Sequence, residues 1–399
     1  MTVPAIPMSI AAAAPCSEDQ KLLQEKRWPN NSKSSKTLRV ADLFSGAGGF
    51  SLGAFLAAKS LRRRFEVALA VELNQNAAAI YASNFETLMK SSRCLHTESI
   101  EEILDGGLED RPTRKEKRLA GLYAADKRID LLMGGPPCQG HSDLNNHTRR
   151  DDSRNSLYAK MARAAQVLRP RVVLIENVRQ VIHDRTGVVA RTEARLEKLG
   201  FVLKHHVVRF ENLGVPQRRH RHILVGVHQD YGAARRLAAL EHRLRSPSPQ
   251  RDVNWAIEDL ANAGTISGKK FDEYAQQSPD NLRRLRWFAK HKGKWVLPDS
   301  ERPPCHQSGE HSYKAIYGRL LADQPANTLT TGYGSMGQGR YVHPTETRMI
   351  TPREAARLQT FPDFFRFDAV RQRTAWAKAI GNAVPPIGAR EIIRSLLTG

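Results

Sequence analysis

Leu38-Arg39-Val40-Ala41-Asp42-Leu43-Phe44-Ser45-Gly46-Ala47-Gly48-Gly49 runs from an apolar stretch straight into a glycine turn. Residues 38–44 read as a buried strand, and the pattern from about Phe50 to Lys59 is helical. Glycines between a strand and a helix let backbone approach a ligand closely, and the helix start supplies free N–H groups. A tight strand-to-helix turn needs glycines anyway, so this stretch alone names no ligand.

The alternation continues outward. Phe65 to Val71 predicts a second strand ending at Glu72, and Asn74 to Asn84 a helix. Ile129 to Met133 predicts a strand, Ser156 to Leu168 a helix ended by Pro170, and Val172 to Ile175 a strand ending at Glu176. Val202 to Val208 and His222 to Val227 predict two more. Strands alternating with helices indicate an α/β fold built on a mostly parallel, doubly wound sheet. Residues 229 to about 316 are rich in Arg, Lys, Pro, Ser and Trp, without a clean period. Within them, residues 283–290 mix cations with aromatics, which suits a phosphate backbone and bases as well as a solvated helix face. Helical periodicity returns from Pro352 to Leu358, and a last helix runs from about Ile387 to Leu397.

The formal net charge is +21, which points to a polyanionic partner, nucleic acid first. The four cysteines, Cys16, Cys94, Cys138 and Cys305, are far apart and form no CxxC pair. That pattern suggests neither a disulfide scaffold nor a zinc ribbon and fits a reducing compartment. No metal site is expected. No apolar run reaches membrane-spanning length. Residues 1 to about 36 read as a disordered leader.

Ligands of open parallel sheets bind beyond the carboxyl ends of the strands. The glycine turn, Glu72, Cys138 and Glu176 all fall there. Glu72 suits hydrogen bonding to a ribose. Cys138 sits in the turn Gly135-Pro136-Pro137-Cys138-Gln139-Gly140, which presents a thiol as a nucleophile. Glu176 follows four aliphatic residues and is a candidate proton donor. In Gln217-Arg218-Arg219-His220-Arg221, Arg219 and Arg221 alternate, so an extended chain would turn both to one anionic site.

In this order, these segments resemble the cytosine-C5 DNA methyltransferases. Residues 42–50 look like that family's S-adenosylmethionine loop, Val71-Glu72 its second cofactor motif, and residues 135–140 its catalytic loop. Glu176-Asn177-Val178 looks like the carboxylate motif, and Gln217-x-Arg219-x-Arg221 matches the arginine motif. Residues 352–359 and Gly381-Asn382-Ala383-Val384-Pro385-Pro386 look like the last two motifs. The resemblance covers nearly all of the chain from Val40 on, apart from the variable middle.

The resemblance implies a Rossmann-like methyltransferase sheet with a smaller, irregular target-recognition domain. The implied organisation is residues 37–228 catalytic, 229–340 target recognition with its variable part at about 229–316, and 341–399 returning to the catalytic domain. It implies a thiolate of Cys138 adding to C6 of a flipped-out cytosine, Glu176 bonding N3, and Arg219 and Arg221 orienting the site. It implies S-adenosylmethionine held by Phe44, Gly46, Gly48, Gly49, Glu72, Glu98, Pro136, Asn382 and Val384. Double-stranded DNA would meet Gln139, Gly140, Arg218, Thr330 and Thr331. A monomer in a bacterial cytoplasm, beside the nucleoid and within a restriction-modification system, completes the expectation.

Three features depart from the family pattern. His141 stands where Phe is usual, Glu98 in Thr97-Glu98-Ser99-Ile100 replaces the usual adenine-contacting Asp, and residues 105–128 form a charged insertion. The alternatives are an RNA cytosine-C5 methyltransferase, a DNA-binding protein that has lost activity, and a nicotinamide dehydrogenase. Gly-Ala-Gly-Gly lacks the spacing of the last, and intact Cys138, Glu176 and Arg219 disfavour the second. The target DNA sequence is not written in the chain.

Overall fold

The structure is a computed structural model that describes residues 17–123, 127–137, 157–183, 187–260, 270–307 and 316–399. Seven strands form the central sheet: β1 (Thr37–Leu43), β2 (Arg64–Val71), β3 (Leu95–His96), β4 (Leu131–Gly134), β5 (Val172–Asn177), β6 (Phe201–Arg209) and β7 (His220–His228). Their order is β3-β2-β1-β4-β5-β7-β6. The first five are parallel, while β7 runs antiparallel to both β5 and β6. The α/β sheet read from the sequence is present, with an antiparallel pair at one edge.

β4, β5 and the part of β1 from Val40 on are buried on both faces, with apolar residues throughout except Asp42 in β1 and Glu176-Asn177 at the end of β5. One face packs on the helices Gly49–Ser60, Ala233–Arg245 and Pro386–Thr398, the other on Ala159–Leu168 and Val188–Lys198. Gly53 has no room for a side chain, because a Cβ there would lie 2.4 Å from Ala389 Cβ. That close approach seats the C-terminal helix on the helix that follows the glycine turn.

Three segments differ from the sequence reading. Residues 17–36, assigned to a disordered leader, are packed on the fold; residues 1–16 lie outside the described residues. Leu23 is fully buried, and Trp28 meets Phe55 and Phe364 at ring distances of 5.3 and 4.7 Å. Asp19 pairs with Arg390 and with Arg251 at 2.6 Å. Burial alone would raise its carboxyl, but the two guanidiniums hold it down to about 2. β5 continues through Asn177, so Glu176 is its penultimate residue. The helix Ala233–Arg245 buries Leu237 and Leu240, and Arg243 Nε lies 2.8 Å from Glu391. Position 229 is therefore a break in sequence pattern and not in packing.

The charged insertion also gains an explanation. Thr113 and Glu116 cap the helix Arg114–Gly121 reciprocally. Fully buried Glu116 takes Arg163 Nε at 2.9 Å, and Arg163 also donates to Asp110 O. The insertion is thus tied to the helix Ala159–Leu168.

Candidate active site

At the carboxyl end of β1 the chain turns sharply. Phe44, Gly46 and Gly48 have φ of 57°, 55° and 97°, a region that favours glycine. A Cβ on Gly48 would lie 2.4 Å from Phe85, and one on Gly49 would lie 2.3 Å from Val384 O. The turn is pressed between the helix Gln75–Phe85 and the C-terminal segment. The Val384 carbonyl thus lies against the glycine turn, while Asn382 is exposed.

Glu72, just past β2, accepts Gly46 N–H at 2.8 Å and Asn74 N–H at 2.7 Å. Burial raises its pKa, and those two hydrogen bonds oppose the rise. Its own N–H reaches His96 O at 3.0 Å, so β3 ends beside it. Glu98 is exposed, two residues beyond β3.

Asp42 is a site residue that the motif reading passed over. It is 1% exposed, and Ser51 Oγ donates to its Oδ2 at 2.6 Å. Ser51 Oγ also lies 2.7 Å from Tyr81 OH. Among the described residues the buried Asp42 Oδ1 has no hydrogen-bond partner. Burial pushes this carboxyl up to about 7, with the charge of Glu72 adding to the rise. The signal available in the sequence was a lone carboxyl inside an otherwise apolar strand.

At the end of β4, Gly134 leaves no room for a Cβ, which would lie 2.7 Å from Leu43 O. A Cβ on Gly135 would lie 3.3 Å from Glu176 Oε2, so that carboxyl rests against the backbone leading to the catalytic loop. Pro136 is buried, and its carbonyl accepts Asn177 Nδ2 at 3.3 Å. Cys138, Gln139, Gly140 and His141 lie outside the described residues.

Glu176 is 8% exposed and has Arg221 Nε 3.0 Å from its Oε1. That contact is an ion pair without hydrogen-bond alignment, so among the described residues Oε1 has an unfilled acceptor position. Arg219 does not share this pairing. It is 2% exposed, and its Nη1 reaches Leu329 O and Gly381 O, each at 3.3 Å. Arg221 is the second residue of β7, paired with Val208 of β6 one residue before the β5 pairing begins at His222, whereas Arg219 precedes the strand, where regular alternation has not begun.

Gln217 and Tyr341, also missed from sequence, hold the segment 328–331. Gln217 Oε1 accepts Leu329 N–H at 2.9 Å, and its Nε2 donates to Gln359 at 3.0 Å. Tyr341 OH donates to Thr328 O at 2.9 Å and accepts Thr330 N–H at 3.1 Å. A Cβ on Gly381 would lie 2.6 Å from Thr331 N, so Thr330 and Thr331 pass directly over the start of the segment 381–386. Arg218 is exposed and donates to Gln324 at 2.7 Å. Among the described residues no three His, Cys, Asp or Glu side chains gather as metal ligands. No helix in those residues is long and apolar enough to cross a membrane.

A glycine turn, the Glu72 carboxylate and a buried carboxylate–arginine pair gather beyond the ends of strands in the middle of the sheet, where Rossmann-like methyltransferases carry their site. The family model for C-5 cytosine-specific DNA methylases matches residues 38–398, and the chain belongs to that family. It is a DNA cytosine-C5 methyltransferase. It is 38% identical to the Type II methyltransferase M1.BsuMI of Bacillus subtilis, over 92% of this chain and 82% of that protein. It is 30% identical to the Type II methylase M.HgiDII of Herpetosiphon aurantiacus, over 90% of this chain and 94% of that one. The crystal structure of a prophage-encoded DNA modification methyltransferase of E. coli superposes with a TM-score of 0.60 at 25% identity, covering 90% and 99% of the two chains.

The family generally uses S-adenosylmethionine, and the residues present fit it. Gly48 and Gly49 leave backbone where side chains would obstruct the turn. Each Glu72 oxygen accepts one backbone N–H and keeps a second lone pair for a ribose hydroxyl.

Proposed function

We propose that the chain methylates C5 of a flipped-out cytosine within one short DNA sequence, as the modification enzyme of a Type II restriction system. The observation that carries the assignment of roles is the Glu176 carboxyl. It is buried, rests against Gly135, is paired with Arg221, and has an acceptor position unfilled.

Cytosine C5 is a poor nucleophile until a thiolate adds at C6. Cys138 supplies that thiolate from the loop beginning at Gly135, and the new C–S bond places enamine character on C5. Glu176 bonds the ring at N3 and relieves the charge that builds there. Arg221 holds Glu176 in place, and Arg219 acts as a positioning residue by fixing the carbonyls of Leu329 and Gly381. S-adenosylmethionine supplies the electrophilic methyl group when bound. Loss of the C5 proton and departure of the Cys138 thiolate restore aromaticity.

Phe44, Gly46, Gly48, Gly49, Glu72, Glu98, Pro136, Asn382 and Val384 form the cofactor's surroundings. Gln139, Gly140, Arg218, Thr330 and Thr331 meet DNA, and the enzyme acts as a monomer. Catalytic residues 37–228, a recognition region within 229–340 and the returning segment 341–399 divide the work.

Expression in a host lacking cytosine methylation, followed by bisulfite sequencing, tests this reading. Protected cytosines should fall within one short motif and vanish with Cys138→Ser. Protection that survives Cys138→Ser would sink the mechanism. Label from the cofactor entering RNA instead of DNA would favour the RNA alternative.

A further inference from the structure

Arg340 opens the strand Arg340–Val342, one residue before Tyr341, whose hydroxyl fixes the segment 328–330. Its parallel partner in the next strand is Gly318. A Cβ on Gly318 would lie 2.5 Å from Arg340 Cγ, so this glycine lets the arginine side chain lie across the strand pair. The guanidinium then stacks over the Trp295 ring at 4.4 Å. Trp295 itself remains 41% exposed.

This arrangement leaves the arginine poorly satisfied within the protein. Its Nε is buried with no hydrogen-bond partner among the described residues. Burial, and then the positive charge of Arg218, both depress its pKa. A desolvated guanidinium beside a second cation calls for an acceptor from outside the chain. Stacking covers one face of the guanidinium and leaves its planar donor edge available. That edge matches the oxygens of a DNA phosphate and equally the O6/N7 edge of guanine. Arg218 O meanwhile accepts Thr328 Oγ1 at 2.7 Å, so both arginines flank the segment 328–331.

We propose that Arg340, braced on Trp295, is a DNA-contacting residue whose donor edge engages an acceptor of the target duplex. The proposal rests on the DNA reading above and adds the residue and its mode of contact. The test uses the full chain and the motif defined by bisulfite sequencing. Duplexes carrying that motif, and single-base variants of it, are titrated by fluorescence anisotropy across a salt series with wild type, Arg340→Met and Arg340→Lys.

Arg340→Met should raise Kd for the methylated motif about tenfold or more, with cofactor binding and the unfolding midpoint unchanged. If the acceptor is a guanine edge, the loss is confined to duplexes keeping one particular guanine, and Arg340→Lys does not rescue it. If it is a phosphate, all duplexes weaken alike, the salt slope falls by about 1, and Arg340→Lys restores binding. Should Arg340→Met lower the unfolding midpoint, Arg340→Lys and Trp295→Leu carry the test. Arg340→Met and Trp295→Leu proteins that bind every duplex as wild type does, with the same salt slope, overturn the proposal. A wild-type chain that methylates no DNA overturns the reading beneath it instead.

Discussion

Replacing Asp42 by Asn should stabilise the protein above neutral pH and matter progressively less in mild acid. Asp42 is 1% exposed, accepts hydrogen bonding from Ser51, and has no partner for Oδ1 among the described residues. Burial raises its pKa from the ordinary 3.8 to about 7. An acid whose pKa is higher folded than unfolded binds its proton more tightly when folded. Its stabilising contribution is therefore full in acid and is lost as pH rises through that window. Three pH units at about 1.4 kcal/mol each give a destabilisation of roughly 4 kcal/mol once the folded carboxyl is ionised. About half of it develops between about pH 5.5 and pH 8. Asn keeps the shape and the acceptor for Ser51 but carries no charge. The stability of Asp42→Asn relative to wild type should therefore grow by about 2 kcal/mol across that interval. Urea unfolding of both proteins at the two pH values, without cofactor, measures it. A difference that does not change with pH, or an Asn variant less stable at about pH 8, would refute the buried-acid account.

Three further outcomes are expected. Arg221→Ala should cut methyl transfer by about 100-fold or more while cofactor binding persists, because Glu176 loses the guanidinium paired with it at 3.0 Å; tritium transfer to DNA and calorimetry with the cofactor separate the two effects, and near wild-type turnover would remove Arg221 from the site. Trp28→Ala should lower stability by about 3 kcal/mol in denaturant, since its ring lies against Phe55, Phe85 and Phe364; an unchanged midpoint would mean that residues 17–36 are dispensable to the fold. Glu354 is fully buried, and although burial alone would raise its carboxyl, Arg348 and His343 hold it down to about 2. Its stabilisation is present above the ordinary 4.5 and lost as pH falls toward 2, so Glu354→Gln should flatten the acid limb of the stability curve, which circular dichroism across an acid titration will read.

The strands were legible because β4, β5 and the second half of β1 are buried on both faces and read as mainly apolar runs. The positions of the glycine turn, Glu72 and Glu176 followed from strand ends alone. What stayed hidden depends on distant partners. Trp28 looks like part of a polar leader until Phe364 and Phe365, far along the chain, close around it. Arg219 and Arg221 separate because alternation holds only inside a strand, and Arg219 stands before β7 begins. The helix Ala233–Arg245 is crowded with arginines that point to backbone carbonyls and to Glu391, contacts that its local composition does not reveal. Asp42 was visible as a residue but not as a strained one, because its isolation is created by Ser51, Tyr81 and the absence of any donor at Oδ1.

The contact between Gly49 and Val384 sets an order of events during synthesis. Domains generally begin to fold as they emerge from the ribosome, N-terminal parts first. Here the turn beside β1 is made early, but the carbonyl that walls it arrives 335 residues later, from position 384 against position 49. The helix Pro386–Thr398, which seats on Gly53, arrives later still. A nascent chain therefore holds an open half-pocket for most of its translation. A chain that stops short of Val384 lacks the carbonyl against which Gly49 packs, and the turn beside β1 stays open on that side.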